Sequence, residues 1–252
     1  SMAVEAQRLI TFLNSLLPLE AGKKLNIVTH SMGGCVLLHA LAQTDSYDGF
    51  LGQIIFIAPP FRGALRPLQV VEMGTGTPAD WLICNSTLRK SAATMAGLFQ
   101  LNVAPIGVWP AVEPVTATPL SYPILTQEDL YVPASWSNPH RTQLRAAILL
   151  AAERRYSRLE DDMASVVRRL GDQISVIVGA HGKTEYAATR DNGTWALHSL
   201  PDPAPGKISN GDGTVLCQSG WFTGVPAARH YVYVPDKRED THADLPDLQP
   251  VI

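Results

Sequence analysis

The sequence predicts an α/β fold with a mostly parallel β-sheet and flanking helices. Three observations predict it: short continuous apolar runs typical of buried strands, helical stretches between those runs, and a strand-to-helix turn around residue 31. The chain has 252 residues, 46% of them hydrophobic, which is enough for one α/β domain. We therefore expect residues 1–252 to form a single domain.

The first 57 residues alternate helix and strand. Apolar residues recur at helical spacing over residues 4–17, and Pro18 ends the pattern. Residues 25–28 form a short β-type run, and the small and apolar residues from Met32 onward predict a helix directly after it. Residues 53–57 are a second continuous apolar run, as expected of a buried parallel strand. These elements predict a βαβ arrangement.

An insertion follows these elements. Residues 61–139 show no regular strand pattern, and we interpret them as a helical and irregular cap. Beyond the cap, periodicity predicts one helix at residues 142–169 and a third buried strand at residues 174–178. Turn residues predict a β-hairpin at residues 185–198, and a last strand follows at residues 230–234.

Composition excludes several classes of protein. The 20 basic and 23 acidic side chains leave no positive surplus for phosphates, so a nucleic-acid partner is not expected. No apolar run approaches the roughly 18 residues of a membrane span. Cys35, Cys84 and Cys217 are too few and too scattered for a disulfide framework or a zinc site, which favours a reducing compartment such as the cytoplasm. The N-terminal residues have no signal-peptide pattern, and localisation otherwise stays open.

The segment from Thr29 to Gly34 reads Thr-His-Ser-Met-Gly-Gly and lies where a buried strand turns into a helix. This context predicts a nucleophile elbow, in which Ser31 is exposed above the sheet and its near neighbours are small. Thr29 stands where the usual Gly-x-Ser-x-Gly pattern has its first glycine. The alternative is a small-residue turn with a structural serine, and we interpret His30 as structural.

A serine nucleophile needs a general base and an orienting carboxylate. In α/β hydrolases these follow in the order serine, acid, histidine. Asp212 lies in a glycine-flanked turn after the third predicted strand, and His242 follows the last one. We therefore select Asp212 as the acid and His242 as the base. Three other acids crowd the histidine loop and rank below Asp212: Asp236, Asp240 and Asp244.

Four blocks in the same order resemble the lecithin:cholesterol acyltransferase family of α/β hydrolases. They are Val-Thr-His-Ser-Met-Gly-Gly, Ala-Pro-Pro-Phe-Arg-Gly, Gly-Ala-His-Gly-Lys-Thr and Gly-Asp-Gly-Thr-Val, at residues 28–34, 58–63, 179–184 and 211–215. The resemblance extends from about residue 4 to residue 242 and is faint between residues 65 and 172.

The resemblance implies an α/β-hydrolase fold and a triad of Ser31, Asp212 and His242, with no metal or cofactor. The backbone N–H of Met32 is then one oxyanion-hole donor. The family acts on acyl esters, commonly phospholipids and other lipids, as acyltransferases, phospholipases or lipases. A serine hydrolase or acyltransferase on lipid esters is therefore our main prediction.

One departure from the family concerns the strands before the elbow. Only one helix precedes Ser31, so the earlier strands and the loop that supplies a second oxyanion donor are missing. We expect the chain to be a fragment truncated at its N-terminus, and the alternatives are a partner chain that supplies these strands or a rebuilt site. This departure and Thr29 also leave open a catalytically silent domain that serves as a binding module.

The insertion at residues 61–139 has two interpretations. Its large apolar residues either form a lid and acyl-chain pocket over Ser31 or pack as the core of the cap. The residues concerned are Trp81, Met95, Leu98, Phe99, Leu101, Trp109 and Trp136. A third function, a lipid-surface adaptor, is weaker because no basic amphipathic helix is present in the sequence.

Overall fold

A computed structural model describes residues 1–74, 92, 95–105, 108–109, 130–136, 142–192, 194–200, 208–234 and 242–247. The strands in these residues are β1 (Leu25–His30), β2 (Leu51–Ile57), β3 (Ile174–Gly179), β4 (Glu185–Asp191), β5 (Thr194–Ser199) and β6 (His230–Tyr233). A parallel sheet has the order β1-β2-β3-β6, and β4 pairs with β5 as an antiparallel hairpin. The α/β class with a mostly parallel sheet is therefore confirmed.

Helices connect and cover the parallel strands. The long ones are α1 (Met2–Ser15), α2 (Met32–Gln43), Thr142–Ser157 and Leu159–Leu170. Shorter helical segments are Arg66–Leu68, Gln69–Met73, Ala96–Phe99, Pro133–Ser135, Gly171–Gln173, Cys217–Gly220, Ala227–Arg229 and Leu245–Asp247. Within the described ranges, no helix is both long and apolar enough to span a bilayer.

The prediction of one helix over residues 142–169 is wrong, because two helices meet at Arg158. In the first, Ile148 and Leu149 pack into a cluster with residues of the insertion. In the second, Met163 and Val166 face the core of the sheet. The break lets the two helices bury their apolar sides against different parts of the protein, which the polar and apolar pattern alone did not reveal.

The two faces of the sheet are covered unequally. On one face, Ile54, Phe56 and Val176 are fully buried in a core that also contains residues of α2 and the helix Leu159–Leu170. Side chains alternate between the faces of a strand, so Val28, which is paired with Ile55, lies on the opposite face. There Val28 is 61% exposed and Tyr231, at the other edge of the sheet, is 53% exposed.

A second hydrophobic cluster lies in the insertion. Phe99 is fully buried and meets Trp136 edge-on, with ring centroids 5.0 Å apart. Leu130 of the insertion is buried in the same cluster, and so is Trp195, which belongs to the hairpin. For Phe99 and Trp136 these contacts favour the core-packing interpretation of the cap. Leu98, Leu101 and Trp109 are partly buried, Met95 is 55% exposed, and Trp81 lies outside the described residues.

Candidate active site

Three loops meet at the carboxyl edge of the parallel sheet. Ser31 follows β1, Asp212 lies in a loop after β3 and the hairpin, and His242 follows β6. The carboxyl ends of parallel strands lie at one edge of a sheet, where ligands of open α/β folds bind. The fold therefore brings together side chains that are up to 211 positions apart in sequence.

Ser31 occupies a sharp turn between β1 and α2. Its backbone has φ 53° and ψ −129°, a positive φ that is strained for a residue with a side chain. Its N–H donates to the carbonyl oxygen of Ile57 at 2.9 Å, which ties the turn to β2. A Cβ atom on Gly34 would lie 2.9 Å from Cβ of Pro59, so glycine is needed there for α2 to approach the sheet.

Asp212 is held in place by its own loop. The residue is 3% exposed, and its Oδ1 accepts hydrogen bonds from the backbone N–H groups of Thr214 at 3.0 Å and Val215 at 2.7 Å. Glycine is required on both sides, because a Cβ on Gly211 would lie 2.4 Å from the carbonyl oxygen of Val215 and Gly213 has φ +88°. The other carboxylate oxygen, Oδ2, remains directed at the ring of His242.

His242 joins the other two side chains. Its Nδ1 lies 2.7 Å from Oδ2 of Asp212, and its Nε2 lies 2.9 Å from Oγ of Ser31. A carboxylate only accepts, so Nδ1 carries the proton and Nε2 is free to accept the serine proton. This is the arrangement that activates a serine hydroxyl.

Met32 is the first residue of α2 and directly follows Ser31. The first N–H groups of a helix have no acceptor within that helix, so the Met32 N–H is available to a ligand atom near Oγ of Ser31. Part of α2 is thus positioned to stabilise negative charge next to the serine. The Met32 side chain is 42% exposed.

Of the lower-ranked acids, Asp236 and Asp240 lie outside the described residues, and Asp244 is exposed. Sequence reasoning missed a contact of His30, whose Nε2 lies 2.9 Å from the backbone carbonyl oxygen of His242. In the sequence, the only sign of this contact is the position of His30 beside Ser31. Burial, followed by the neighbouring His242, lowers the pKa of His30. Among the described residues, no group of three or more His, Cys, Asp and Glu could hold a metal ion.

Comparisons with known proteins identify the family and the fold of the chain. The family model for lecithin:cholesterol acyltransferase matches residues 7–137, more than half of the chain. No curated protein matches the chain. A solved structure described as "The crystal structure of Tle4-Tli4 complex" aligns with a TM-score of 0.55 and 14% identity, over 92% of this chain. The chain spans only 59% of the length of that neighbour.

Proposed function

The chain belongs to the lecithin:cholesterol acyltransferase family, and from that premise we propose that it is a serine hydrolase or acyltransferase of lipid esters. The observation that carries the proposal is the continuous hydrogen-bond chain from Ser31 Oγ through His242 to Asp212. A catalytically silent domain would not need all three side chains aligned.

In the proposed reaction, His242 Nε2 accepts the proton of Ser31 as Oγ attacks the ester carbonyl carbon. The new C–O bond gives a tetrahedral intermediate with a negative oxygen. The carboxylate of Asp212 holds the ring tautomer and stabilises the imidazolium. When the intermediate collapses, the bond to the leaving alcohol breaks, His242 returns its proton to that alcohol, and the acyl group stays on Ser31.

A second nucleophile then removes the acyl group. Water gives a carboxylic acid and free enzyme, whereas an alcohol gives a new ester, and His242 acts as the base in either case. The triad is the same for both outcomes, so the access of water to the acyl-enzyme decides between hydrolysis and transfer. Lipid esters are the proposed substrates because of the family to which the chain belongs.

The oxyanion in this proposal receives one hydrogen bond from the Met32 N–H. Loss of one oxyanion donor lowers the rate of an acyl-transfer enzyme about 100- to 1000-fold. We therefore propose that a second donor, which the described residues do not identify, comes from further polypeptide or from a partner chain. The isolated chain should then react with an activated acyl or phosphonyl group, but slowly.

The test is intact-mass spectrometry after exposure to a fluorophosphonate probe, which phosphonylates activated serines with loss of fluoride. The wild-type chain should gain one adduct that is absent from Ser31→Ala. Ser46→Ala, a change at an exposed serine, is the matched control and should label like the wild type. A wild-type chain that gains no adduct over hours would contradict an activated Ser31 in this chain.

We also propose that further polypeptide, either contiguous or from a partner chain, covers the open face of the sheet. Parallel sheets are normally covered on both faces, yet Val28 and Tyr231 are exposed on one face here. In addition, β1 pairs only with β2 within the described residues, which leaves an open edge. The solved neighbour is a longer chain, in agreement with this idea.

Hydrogen exchange tests this second proposal. The N–H groups of Leu25 and Ser31 donate towards β2, so by alternation the N–H of Val28 points to the open edge. In the 252-residue chain the Val28 amide should exchange fast, and in a form that also carries the covering polypeptide it should be protected. Equally fast exchange in both would argue against a strand on this edge.

A further inference from the structure

A second histidine contacts the candidate base. His30 Nε2 lies 2.9 Å from the backbone carbonyl oxygen of His242, and the two ring centroids are 4.8 Å apart with the planes tilted by 37°. A carbonyl oxygen only accepts, so Nε2 of His30 carries a proton and donates it. The contact joins the end of β1, next to the nucleophile, to the loop that carries the base.

We propose that His30 is a positioning residue that holds the backbone of His242, so that the ring of His242 stays aligned between Ser31 and Asp212. The inference rests on the proposed function of the triad. It assigns His30 no contact with the reacting atoms, and its effect on the reaction passes entirely through His242.

The loop of residues 242–247 needs such an anchor. The His242 ring must keep two hydrogen bonds at once, at 2.7 Å to Asp212 and 2.9 Å to Ser31, and a small rotation of its backbone would lengthen one of them. At the far end of the loop, Leu245 is 6% exposed and packs with Ile57 and Ala58. At the near end, the hydrogen bond from His30 is the corresponding restraint on residue 242 itself.

The environment of His30 keeps it in the form that donates one hydrogen bond. Burial has the largest effect and His242 the next, and both lower the pKa of His30, whereas its hydrogen bond to His242 and the charge of Asp212 oppose them. A neutral ring with its proton on Nε2 satisfies the carbonyl oxygen without adding a positive charge beside His242. A charged ring would disfavour the imidazolium that forms on His242 during the reaction.

Two variants separate the hydrogen bond from the ring contact. His30→Phe keeps a ring beside His242 but has no donor, and His30→Gln keeps an N–H donor at a similar reach but has no ring. His198→Gln makes the same change at an exposed hairpin histidine and is the matched control. Thermal unfolding checks that each variant is folded, and His30→Asn, with its shorter amide, replaces the Phe variant if that one is not.

The first readout is the second-order rate constant for labelling of Ser31 by the fluorophosphonate probe. His30→Phe should lower it about tenfold, because one hydrogen bond is lost, and His30→Gln should stay within about threefold of wild type. With an ester substrate the loss should fall on kcat and leave KM nearly unchanged. Wild-type labelling by His30→Phe, or equally slow labelling by the Phe and Gln variants, would overturn the proposal.

The second readout does not depend on catalysis. In protein with ¹⁵N-labelled histidine, the ring resonances of His242 should shift and broaden in His30→Phe and stay near their wild-type positions in His30→Gln. If the wild-type chain fails to label, the proposed function fails, and these resonances still decide the role of His30. Unchanged His242 resonances in His30→Phe would refute it.

Discussion

The substitution Asp212→Asn tests the triad most directly, because the two oxygens of Asp212 have separate roles. Oδ1 accepts the loop N–H groups of Thr214 and Val215, and an amide oxygen can still accept both. Oδ2 faces His242 Nδ1 at 2.7 Å, and there the variant presents an NH₂ group, which only donates. The loop should therefore keep its structure while the contact with His242 reverses its polarity.

The reversal places the ring proton on the wrong nitrogen. Nδ1 of His242 must accept from the new amide, so the proton moves to Nε2, which faces Ser31 and can no longer accept. The 2.7 Å charge-assisted hydrogen bond alone contributes about 1.5–3 kcal/mol. Because the variant loses this hydrogen bond and also holds the wrong tautomer, we expect kcat to fall about 10⁴-fold, or about 5.5 kcal/mol, as for this change in a Ser-His-Asp triad.

The assay is hydrolysis of a short-chain chromogenic ester, with fluorophosphonate labelling as a second measure. Asp244→Asn tests the competing acid in the histidine loop, and Asp172→Asn makes the same change at an exposed position. Both controls should keep activity within about threefold of wild type, as expected of changes outside the triad. If Asp212→Asn keeps more than about a tenth of the wild-type rate, Asp212 does not orient the base and the reasoning is refuted.

The packing and charge of the described residues lead to three more expectations. Gly34→Ala should lower the free energy of unfolding by about 1–3 kcal/mol in urea titrations, since its Cβ would meet Pro59 at 2.9 Å. Gly33→Ala should not, because the nearest atom there is 3.9 Å away, and equal losses would contradict the difference in packing. Arg62→Ala should cost about 3 kcal/mol in the same assay, because the buried guanidinium pairs with an acid and donates to several carbonyl oxygens. Arg154→Ala, a change at an exposed arginine, should cost little. Burial lowers the pKa of three histidines, so the unfolded chain binds more protons and the free energy of unfolding should fall as the pH drops from about 6.5 through the folded pKa values. Urea midpoints at pH 7.5 and pH 5 measure this fall, and the same midpoint at both would contradict a contribution from His30, His39 and His230.

The sheet and the candidate triad were accessible from sequence for physical reasons. Buried parallel strands are apolar on both faces, so the runs at residues 53–57 and 174–178 could be recognised without an alternating pattern. Loops after parallel strands meet at one edge, so Ser31, Asp212 and His242 could be assigned by their positions after strands.

Other features depend on contacts between distant residues, and no local pattern encodes them. The role of His30 follows from a carbonyl oxygen 212 positions away, and the sequence showed only that His30 adjoins Ser31. The helix break at Arg158 arises because Leu149 and Met163 pack into different clusters. Both helices have suitable helical periodicity, and only their tertiary partners separate them.

The threonine in the elbow motif is one reason to consider a silent domain, and the packing removes that reason. A Cβ on Gly33 would lie 3.9 Å from Cβ of Thr29, an ordinary van der Waals contact, so the backbones leave room for a side chain at residue 29. Thr29 Oγ1 also reaches the carbonyl oxygen of Ile55 at 3.4 Å, on the neighbouring strand. The close approach of helix and sheet lies instead at Gly34, where a Cβ would meet Pro59. The requirement for a small residue therefore falls on Gly34, one position after Gly33, and Thr29 is compatible with the strained turn at Ser31.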